Sequence, residues 1–493
     1  MIRKYPHLLQ VNASFLLSRM KAKYGQPLLT LATIPDEEWE AFADAGFDFV
    51  WLMGIWERSP KARTHALTEP NLIQAYNLLL PDWNQNDVGG SPYSIYGYHL
   101  DPFLGDTDTL AALKTKLHSF GLKLIVDFVP NHLAFDHPWT LTRPGCFVRG
   151  TAKQVKAHPE WYFMTERGVS LAHGRDPYFP PWIDTVQINF YASMARKMLI
   201  HELLKIAKIA DGVRCDMAML GLNGIFEKVW GRFIRNGKSK TEFWDEAIPE
   251  VKNQNPDFVF IAEVYWDLEW DLQQLGFDFT YDKRLYDRLL LAKAADVRGH
   301  LKADLDFQAK SMRFLENHDE DRAITTFGYE KSKAAAVVAA TIPGLRFFQD
   351  GQLQGKRIRM PIHLRREAVE PVDSGILDFY TRLMKYAGSP ALHDGTWELL
   401  ELASAWEWNQ SHQNVMAWCW RYPHDWKIIV VNYSDARSQG RVKIKMAWDE
   451  NENYILFRDR MTGEIFMQDR NELESFGLYV DLAPWQAHLF EPT

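Results

Sequence analysis

The chain has 493 residues, of which 46% are hydrophobic and 24% are charged, and its 64 acidic and 56 basic side chains give a formal net charge of −8. This composition is typical of a globular protein, and the length allows one large hydrophobic core and a smaller second one. Because there is no basic excess to neutralise a phosphate backbone, we expect no nucleic-acid partner.

Three further features bear on compartment and partners. The most apolar run, residues 334–345, is interrupted by Pro343 and Gly344 and is shorter than the roughly 18 residues of a spanning helix, so we expect no membrane partner. Residues 1–25 contain no long apolar segment with a small-residue cleavage site, which favours a cytoplasmic location. The three cysteines are far apart and lack metal-ligand spacing, so we expect neither disulfides nor a zinc site.

Up to about residue 390, short runs of β-branched and aromatic residues alternate with longer amphipathic stretches, the pattern of a parallel sheet with crossover helices. The predicted strands are residues 8–13, 47–54, 122–130, 209–217, 258–266, 277–282, 311–317 and 344–350. Eight such units favour an α/β fold of the (β/α)8 TIM-barrel type over an open doubly wound sheet.

Two segments depart from this alternation. The stretch after the third strand is too long for a simple connection and rich in proline, so residues 133–188 are predicted to form a small inserted domain, domain B, on the barrel rim. From residue 393 to residue 493 the pattern changes to short alternating strands, which predicts a C-terminal antiparallel β-sandwich. The catalytic barrel would then comprise residues 1–132 and 189–392.

Two patterns make more detailed predictions about this C-terminal domain. Four tryptophans recur at the period of a strand, which predicts that they fill the domain's core and its interface with the barrel. They are Trp406, Trp408, Trp418 and Trp420. In addition, Val442, Ile444 and Met446 alternate with lysines and predict a strand.

Polar residues at the C-terminal ends of barrel strands are candidates for a functional site, because barrel enzymes carry their reactive groups there. Four predicted strands end in such residues. They are Asp127, Asn131 and His132 after the third strand, Arg214 and Asp216 on the fourth, Glu263 on the fifth, and Asn317, His318 and Asp319 on the seventh. One buried carboxylate would fit a structural ion pair, but several on one face repel each other and indicate chemistry.

Cleavage of a glycosidic bond needs two carboxyl groups with different pKa values, one ionised and one protonated. Arg214 and Asp216 are two residues apart and share one face of a strand, so the guanidinium would keep Asp216 ionised as a nucleophile. Glu263 lies in an apolar stretch, which would raise its pKa toward that of a general acid and base.

The segments DFVPNH, GVRCD, FIAEV and ENHD occur in the order and approximate spacing of the four signature regions of the α-amylase family, glycoside hydrolase family thirteen, which the chain resembles. SPYSIYGYHLDPFLGDTDTL is similar to the family's loop before the third strand, IPGLRFFQDGQLQG to its eighth-strand motif, and GLYVDLAPWQAHLFE to the end of its β-sandwich. The resemblance covers essentially the whole chain.

The resemblance implies a role for each matching residue. Asp216 would be the nucleophile, Glu263 the general acid and base, and Asp319 the third carboxylate, which binds hydroxyls and stabilises the transition state. The implied substrate-binding residues are Tyr93, Asp127, His132, Arg214 and His318. The implied partner is a small or oligomeric α-glucan substrate.

We expect no cofactor and no metal. Asn131 corresponds to a residue that in many family members ligates a structural calcium. However, residues 217–220 read MAML where many starch-degrading amylases have a Lys-His pair tied to substrate binding and calcium, which argues against a calcium site near Asn131.

The resemblance predicts a retaining glycosidase that acts on α-glucosidic bonds of maltooligosaccharides or α-glucans through a covalent glycosyl-Asp intermediate. One alternative is an intracellular glucano- or maltosyltransferase using the same site, since the HPEWYF and DPYFPPWIDTVQINF segments resemble members acting on short α-glucan donors. Another is a non-catalytic carbohydrate-binding barrel, although such relatives usually lack a catalytic carboxylate. Substrate chain length, α-1,4 or α-1,6 linkage and oligomeric state are left open by these residues.

Overall fold

A computed structural model describes residues 3–234, 237–423, 425–445 and 453–492, and within them eight parallel strands form a closed barrel. Each strand pairs with its neighbours in the chain, and the last pairs with the first. The barrel strands are β1 (His7–Asn12), β2 (Phe49–Met53), β3 (Lys123–Phe128), β4 (Gly212–Cys215), β5 (Val259–Ala262), β6 (Phe279–Tyr281), β7 (Ser311–Arg313) and β8 (Leu345–Gln349). The predicted TIM barrel is confirmed.

Helices surround the barrel and cover the outer faces of its strands, which explains why the strands read as nearly continuous apolar runs. The helices of the barrel and its rim are Ala13–Tyr24, Asp36–Asp44, Pro60–Ala66, Pro70–Leu79, Thr109–Ser119, Ser193–Ile209, Asn223–Trp230, Phe243–Lys252, Glu269–Gln274, Lys283–Leu291, Ala294–His300, Leu305–Ala309, Ala323–Phe327, Tyr329–Thr341, Ser374–Ala387 and Pro390–Asp394. A short antiparallel pair on the rim joins Trp56–Arg58 to Ile95–Leu100.

The segment between β3 and the next long helix is irregular and holds two short antiparallel pairs. One joins His132–Ala134 to Thr185–Gln187, and the other joins Tyr162–Met164 to Ser170–Ala172. Its helices are Trp139–Thr142 and Ala152–Ala157. Because the first pair joins the start of the segment to its end, the chain leaves and re-enters the barrel at one place, beside the C-terminal end of β3. The boundaries of domain B stay a prediction.

The C-terminal part of the chain consists of antiparallel strands in two sheets, with the order β9-β11-β12-β17-β14-β15 in one and β10-β13-β16 in the other. These strands are β9 (Thr396–Leu399), β10 (Leu402–Ala403), β11 (Val415–Tyr422), β12 (Asp425–Asn432), β13 (Ser438–Val442), β14 (Tyr454–Asp459), β15 (Ile465–Asp469), β16 (Leu478–Leu482) and β17 (Ala487–Pro492). A helix, Arg470–Phe476, precedes β16. The two sheets enclose a separate hydrophobic core, which confirms the predicted sandwich.

The tryptophan prediction is correct for one pair and wrong for the other. Trp418 and Trp420 on β11 are fully buried, and both indole N–H groups donate to Thr341 O of the barrel, at 3.1 and 2.6 Å. Trp406 and Trp408 are 55% and 87% exposed, because they lie in the loop after β10, where alternation does not define an inner face.

The strand predicted from alternating residues 442–446 is only partly present. Strand β13 ends at Val442, Ile444 lies beyond it, and Met446 is outside the described residues. Among the helices of the described ranges, none is both long and apolar enough to span a bilayer. Cys146, Cys215 and Cys419 are buried free thiols.

Candidate active site

The C-terminal ends of four barrel strands bring most of the predicted site residues together on one face of the barrel. Asp127 lies on β3 and Arg214 on β4, while Asp216 and Glu263 directly follow β4 and β5. His318 and Asp319 come a few residues after β7. Parallel strands in a closed barrel all end on the same face, so residues far apart in sequence meet there.

Arg214 is the centre of this cluster. Its Nη1 donates to Asp216 Oδ1 at 2.7 Å, and its Nη2 forms an ion pair with Glu263 Oε2 at 2.8 Å. Asp127 Oδ1 lies 3.6 Å from the same Nη1. Two carboxylates held by the two terminal nitrogens of one guanidinium are a few ångströms apart. This is compatible with the separation of about 5–5.5 Å that characterises retaining glycosidases.

Glu263 is buried, with 3% of its surface exposed, and each of its oxygens has a donor. Oε2 accepts from the Met217 backbone N–H at 2.6 Å, and Oε1 accepts from the Tyr265 hydroxyl at 2.9 Å. Burial, together with the charges of Asp216 and Asp319, raises the pKa of Glu263 to about 7, although Arg214 opposes the shift. A carboxyl group of this pKa is suited to donate and accept a proton near neutral pH.

The environment of Asp216 differs in part from the one expected. Burial raises the pKa of Asp216 above its ordinary value, and the adjacent Arg214 opposes this rise by attraction and hydrogen bonding. The expectation from sequence considered only the guanidinium, whereas the side chain is almost fully enclosed. The next residue, Met217, has φ = 44°, in the left-handed region, and its N–H donates to Glu263.

Asp319 is the most accessible of the three carboxylates, with 51% of its side chain exposed. Desolvation raises its pKa, but attraction to His318 and Arg214 outweighs this and lowers the pKa of Asp319 to about 2. Asp319 Oδ2 lies 3.1 Å from His318 Nε2. The other ring nitrogen of His318, Nδ1, is 2.7 Å from Gln10 Nε2, so the imidazole is held from both sides.

Tyr93, from the loop before the third strand, and His132, shortly after that strand, also reach the cluster. The Tyr93 ring stacks on His318 with 5.4 Å between ring centroids, and its hydroxyl is 2.8 Å from His318 Nε2. His132 is buried, contacts the Tyr93 backbone and lies 5.1 Å from the Trp182 ring. Burial lowers the pKa of His132 to about 3, so its imidazole is neutral and can bind hydroxyl groups.

Three residues in contact with the cluster were not predicted. Gln10 supports His318, the Tyr281 hydroxyl accepts from Arg214 Nε at 3.2 Å, and the Tyr265 hydroxyl donates to Glu263. Gln10 lies in the apolar β1 and Tyr281 at the end of β6. A search for polar residues on the barrel strands could therefore have found both. The Tyr265 contact could not be foreseen, because it depends on a turn of the following backbone.

Asn131 was the residue at which the family resemblance raised the question of calcium. Gln187 Nε2 donates to both Asn131 Oδ1 and Asn131 O at 2.9 Å, and to Ile188 O at 3.1 Å. Calcium takes six to eight oxygen ligands, usually with carboxylates among them, so an amide nitrogen at the centre of these oxygens does not fit the ion. In the ranges that the structure covers, no group of three or more His, Cys, Asp or Glu side chains is arranged to hold a metal.

Comparisons with known proteins agree with this geometry. A sequence model of the α-amylase catalytic domain matches residues 43–190, a range that includes Tyr93, Asp127 and His132. α-Amylase MalA from Haloarcula japonica is 29% identical over 290 residues, which are 56% of this chain and 38% of that protein. The chain is thus similar to α-amylases over part of its length. It spans less than two thirds of the length of this relative.

The names of other relatives state different activities. α-Amylase 3 from Dictyoglomus thermophilum is 25% identical over 56% of this chain and 56% of its own length. An α-1,4-glucan:maltose-1-phosphate maltosyltransferase from Cereibacter sphaeroides is 27% identical over 45% of this chain and 27% of its own length. The relatives of this chain therefore include both an α-amylase and a maltosyltransferase.

Solved structures of similar fold extend over the whole molecule. The maltogenic α-amylase AmyB from Thermotoga neapolitana has a TM-score of 0.68 at 18% identity, covering 100% of this chain and 99% of that one. The α-amylase from H. orenii has the same TM-score and identity, with complete coverage of both chains. At this identity the likeness shows the fold.

Proposed function

We propose that the protein is a retaining glycosidase that acts on α-glucosidic bonds of maltooligosaccharides or α-glucans. The observation that carries this proposal is the pair Asp216 and Glu263 on one guanidinium, with the pKa of Glu263 raised to about 7. The names of the relatives support an α-glucan as the substrate class.

The proposed reaction has two steps. In the first, an oxygen of Asp216 attacks the anomeric carbon while Glu263 gives its proton to the departing glycosidic oxygen, which leaves a glycosyl ester on Asp216. In the second, the Glu263 carboxylate takes a proton from water, whose oxygen attacks the anomeric carbon and releases Asp216 as a carboxylate. Two inversions at this carbon give net retention of the α-configuration.

The surrounding residues bind the sugar and hold these two groups. Asp319 is ionised and exposed, so it can accept hydrogen bonds from sugar hydroxyls and oppose the charge of an oxocarbenium-like transition state. His132, His318 and Tyr93 offer aromatic and hydrogen-bonding groups for the same ring. Asp127 is buried and accepts from the Gly54 N–H at 3.0 Å, so we assign it to holding Arg214 in place.

Proton NMR of the first-formed sugars tests this function. Maltooligosaccharides incubated with the enzyme should release α-anomers before mutarotation, because the two displacements retain configuration. First-formed β-anomers would contradict the proposal. A reaction with an inactive Asp216→Asn variant controls for contaminating hydrolases.

Transfer to a sugar acceptor is the second candidate function. The Trp266 ring, three residues after Glu263, lies 5.0 Å from the Tyr178 ring in an edge contact, so an aromatic pair stands close to the acid. Aromatic faces bind sugar rings. If this pair holds an acceptor, products longer than the starting maltooligosaccharide should form. Chromatography distinguishes the cases, since hydrolysis alone yields only shorter sugars.

The presence of all three carboxylates argues against a non-catalytic barrel.

We also propose that the protein needs no calcium, because the Gln187 amide takes the place of a cation beside Asn131. Chelator should therefore leave both turnover and melting temperature unchanged. In Gln187→Asp, a carboxylate replaces the amide donor, which should cost about 1–3 kcal/mol of stability in chelator. Added calcium should restore part of that loss.

The control for this experiment is Gln154→Asp, which changes a glutamine on the helix Ala152–Ala157, away from Asn131. Its melting temperature should not respond to calcium. Wild-type turnover that is lost in chelator and regained with calcium would contradict the proposal.

The cytoplasmic location stays a prediction from the sequence, which fractionation of cells would test.

A further inference from the structure

The Tyr265 hydroxyl occupies a position next to the general acid that no step described above explains. It lies two residues after Glu263, and its Oη is 2.9 Å from Glu263 Oε1. Desolvation and the charges of Glu263 and Asp319 raise the pKa of Tyr265, so the phenol keeps its proton wherever the enzyme would work. Tyr265 is therefore a permanent hydrogen-bond donor.

The contacts of Glu263 determine which of its oxygens carries the acid proton. Oε2 accepts from the Met217 N–H at 2.6 Å and lies 2.8 Å from Arg214 Nη2, so both neighbours of this oxygen are donors. A proton on Oε2 would face these donors and repel them. The proton therefore belongs on Oε1, whose remaining lone pair accepts from Tyr265.

We infer that Tyr265 is a positioning residue for the general acid: its hydroxyl holds Oε1 of Glu263 toward the cleft and stabilises the carboxylate left when the proton departs. The inference rests on the proposed function of Glu263. It also explains at which stage of the reaction this hydrogen bond matters. The hydrogen bond from Tyr265 strengthens as negative charge develops on Oε1, so it favours the transition state over the protonated ground state.

The backbone directly after Tyr265 has an unusual conformation. Trp266 and Asp267 have φ values of 68° and 62°, in the left-handed region that residues with a Cβ seldom adopt in succession. Two contacts hold them there. Asp267 Oδ1 accepts from Arg284 Nε at 2.6 Å, and the Trp266 ring packs on Tyr178. Strain of this kind beside reacting groups is typical of functional loops.

Other charged and titratable groups also face Glu263 and Tyr265, and they must stay constant in any test. They are Arg214, Asp216, Asp319 and Tyr281. Tyr265→Phe removes one hydroxyl oxygen and leaves all of these in place. A change in the titration of Glu263 in this variant therefore reports the hydroxyl.

The experiment measures kcat/KM against pH for wild type and Tyr265→Phe with two donors, a maltooligosaccharide and maltosyl fluoride. Loss of the donor raises the pKa of Glu263, so the basic limb should move up by about one pH unit. Maltooligosaccharide turnover at pH 6 should fall about tenfold, because the nascent carboxylate loses its donor. Fluoride turnover, which needs no proton, should change less than about twofold.

Carbon-13 NMR titration of the Glu263 carboxyl, assigned with Glu263→Gln, measures the same shift without turnover. This separates two failures. If wild type cleaves no α-glucoside, the proposed function is wrong. If the pKa of Glu263 in Tyr265→Phe equals that of wild type, the inference is wrong. Equal loss of turnover with both donors would also overturn it, since that pattern indicates a general structural defect.

Two further variants complete the design. Tyr386→Phe removes a buried hydroxyl that donates to Phe490 O at 3.1 Å, away from the site, and should leave the pH profile unchanged. Replacement of Tyr265 by 3-fluorotyrosine keeps the shape and makes the hydroxyl a stronger donor, so the basic limb should move down. A limb that moves up or stays in place in this variant would contradict the inference, even if Tyr265→Phe did not fold.

Discussion

Asp216→Asn is expected to lower turnover by roughly 10⁴- to 10⁶-fold with every donor, because an amide cannot form the glycosyl ester on which both steps depend. The fold should be kept, since Asn Oδ1 can still accept from Arg214 Nη1, as Asp216 Oδ1 does at 2.7 Å. The measurement is the rate with a maltooligosaccharide and with maltosyl fluoride, alongside the melting temperature. Both rates should fall together.

A matched control for this variant lies at the start of the same strand. Asp211 precedes β4 and accepts from the Leu124 backbone N–H at 2.8 Å, a contact that an amide oxygen can also make. Asp211→Asn should therefore keep wild-type turnover. Normal turnover in Asp216→Asn would contradict its assignment as nucleophile. A loss confined to the maltooligosaccharide would instead indicate that Asp216 serves as the acid.

Glu263→Gln is expected to lower maltooligosaccharide turnover by about 10²- to 10⁴-fold, which is the usual contribution of a general acid. The kcat/KM for maltosyl fluoride should be retained within about tenfold, because it reports the first, glycosylation step and fluoride leaves without a proton. The comparison of the two donors in one variant is the measurement. Equal losses with both would contradict the assignment of Glu263. Glu227→Gln, at a surface ion pair with Lys238, is the control and should have no effect.

The same residue determines the pH dependence of the wild type. Burial raises the pKa of Glu263 to about 7, so the group is protonated below this pH and loses its proton as the pH rises through it. We therefore expect maltooligosaccharide kcat/KM to decline on the basic side near pH 7. With Glu263→Gln and maltosyl fluoride this decline should be absent, because glutamine does not titrate.

Several features of the site followed from the order of residues alone. Each barrel strand is an apolar run, so the sequence shows which residues stand at its end. A closed barrel brings these strand ends together on one face. The residues that meet there for this reason are Asp127, Arg214, Asp216 and Glu263. The tryptophans Trp418 and Trp420 were placed correctly for a similar reason, since they alternate within a real strand.

Other features depended on how distant segments pack. Asn131 and Gln187 are 56 residues apart, and their contact exists only because the inserted segment returns to the strand it left. Loops from several strands together bury Asp216. This is why the pKa of Asp216 is raised, whereas Arg214 alone would lower it.

The sequence by itself therefore determined the eight strands, the family resemblance and the types of residue at each strand end, because these follow from local periodicity and from positions along the chain. Only the tertiary structure decided which oxygen of Glu263 has Tyr265 as its partner, and that Trp408 lies exposed. The physical reason is that hydrogen bonds and burial are set by contacts between residues from different loops, and such contacts have no period in the sequence.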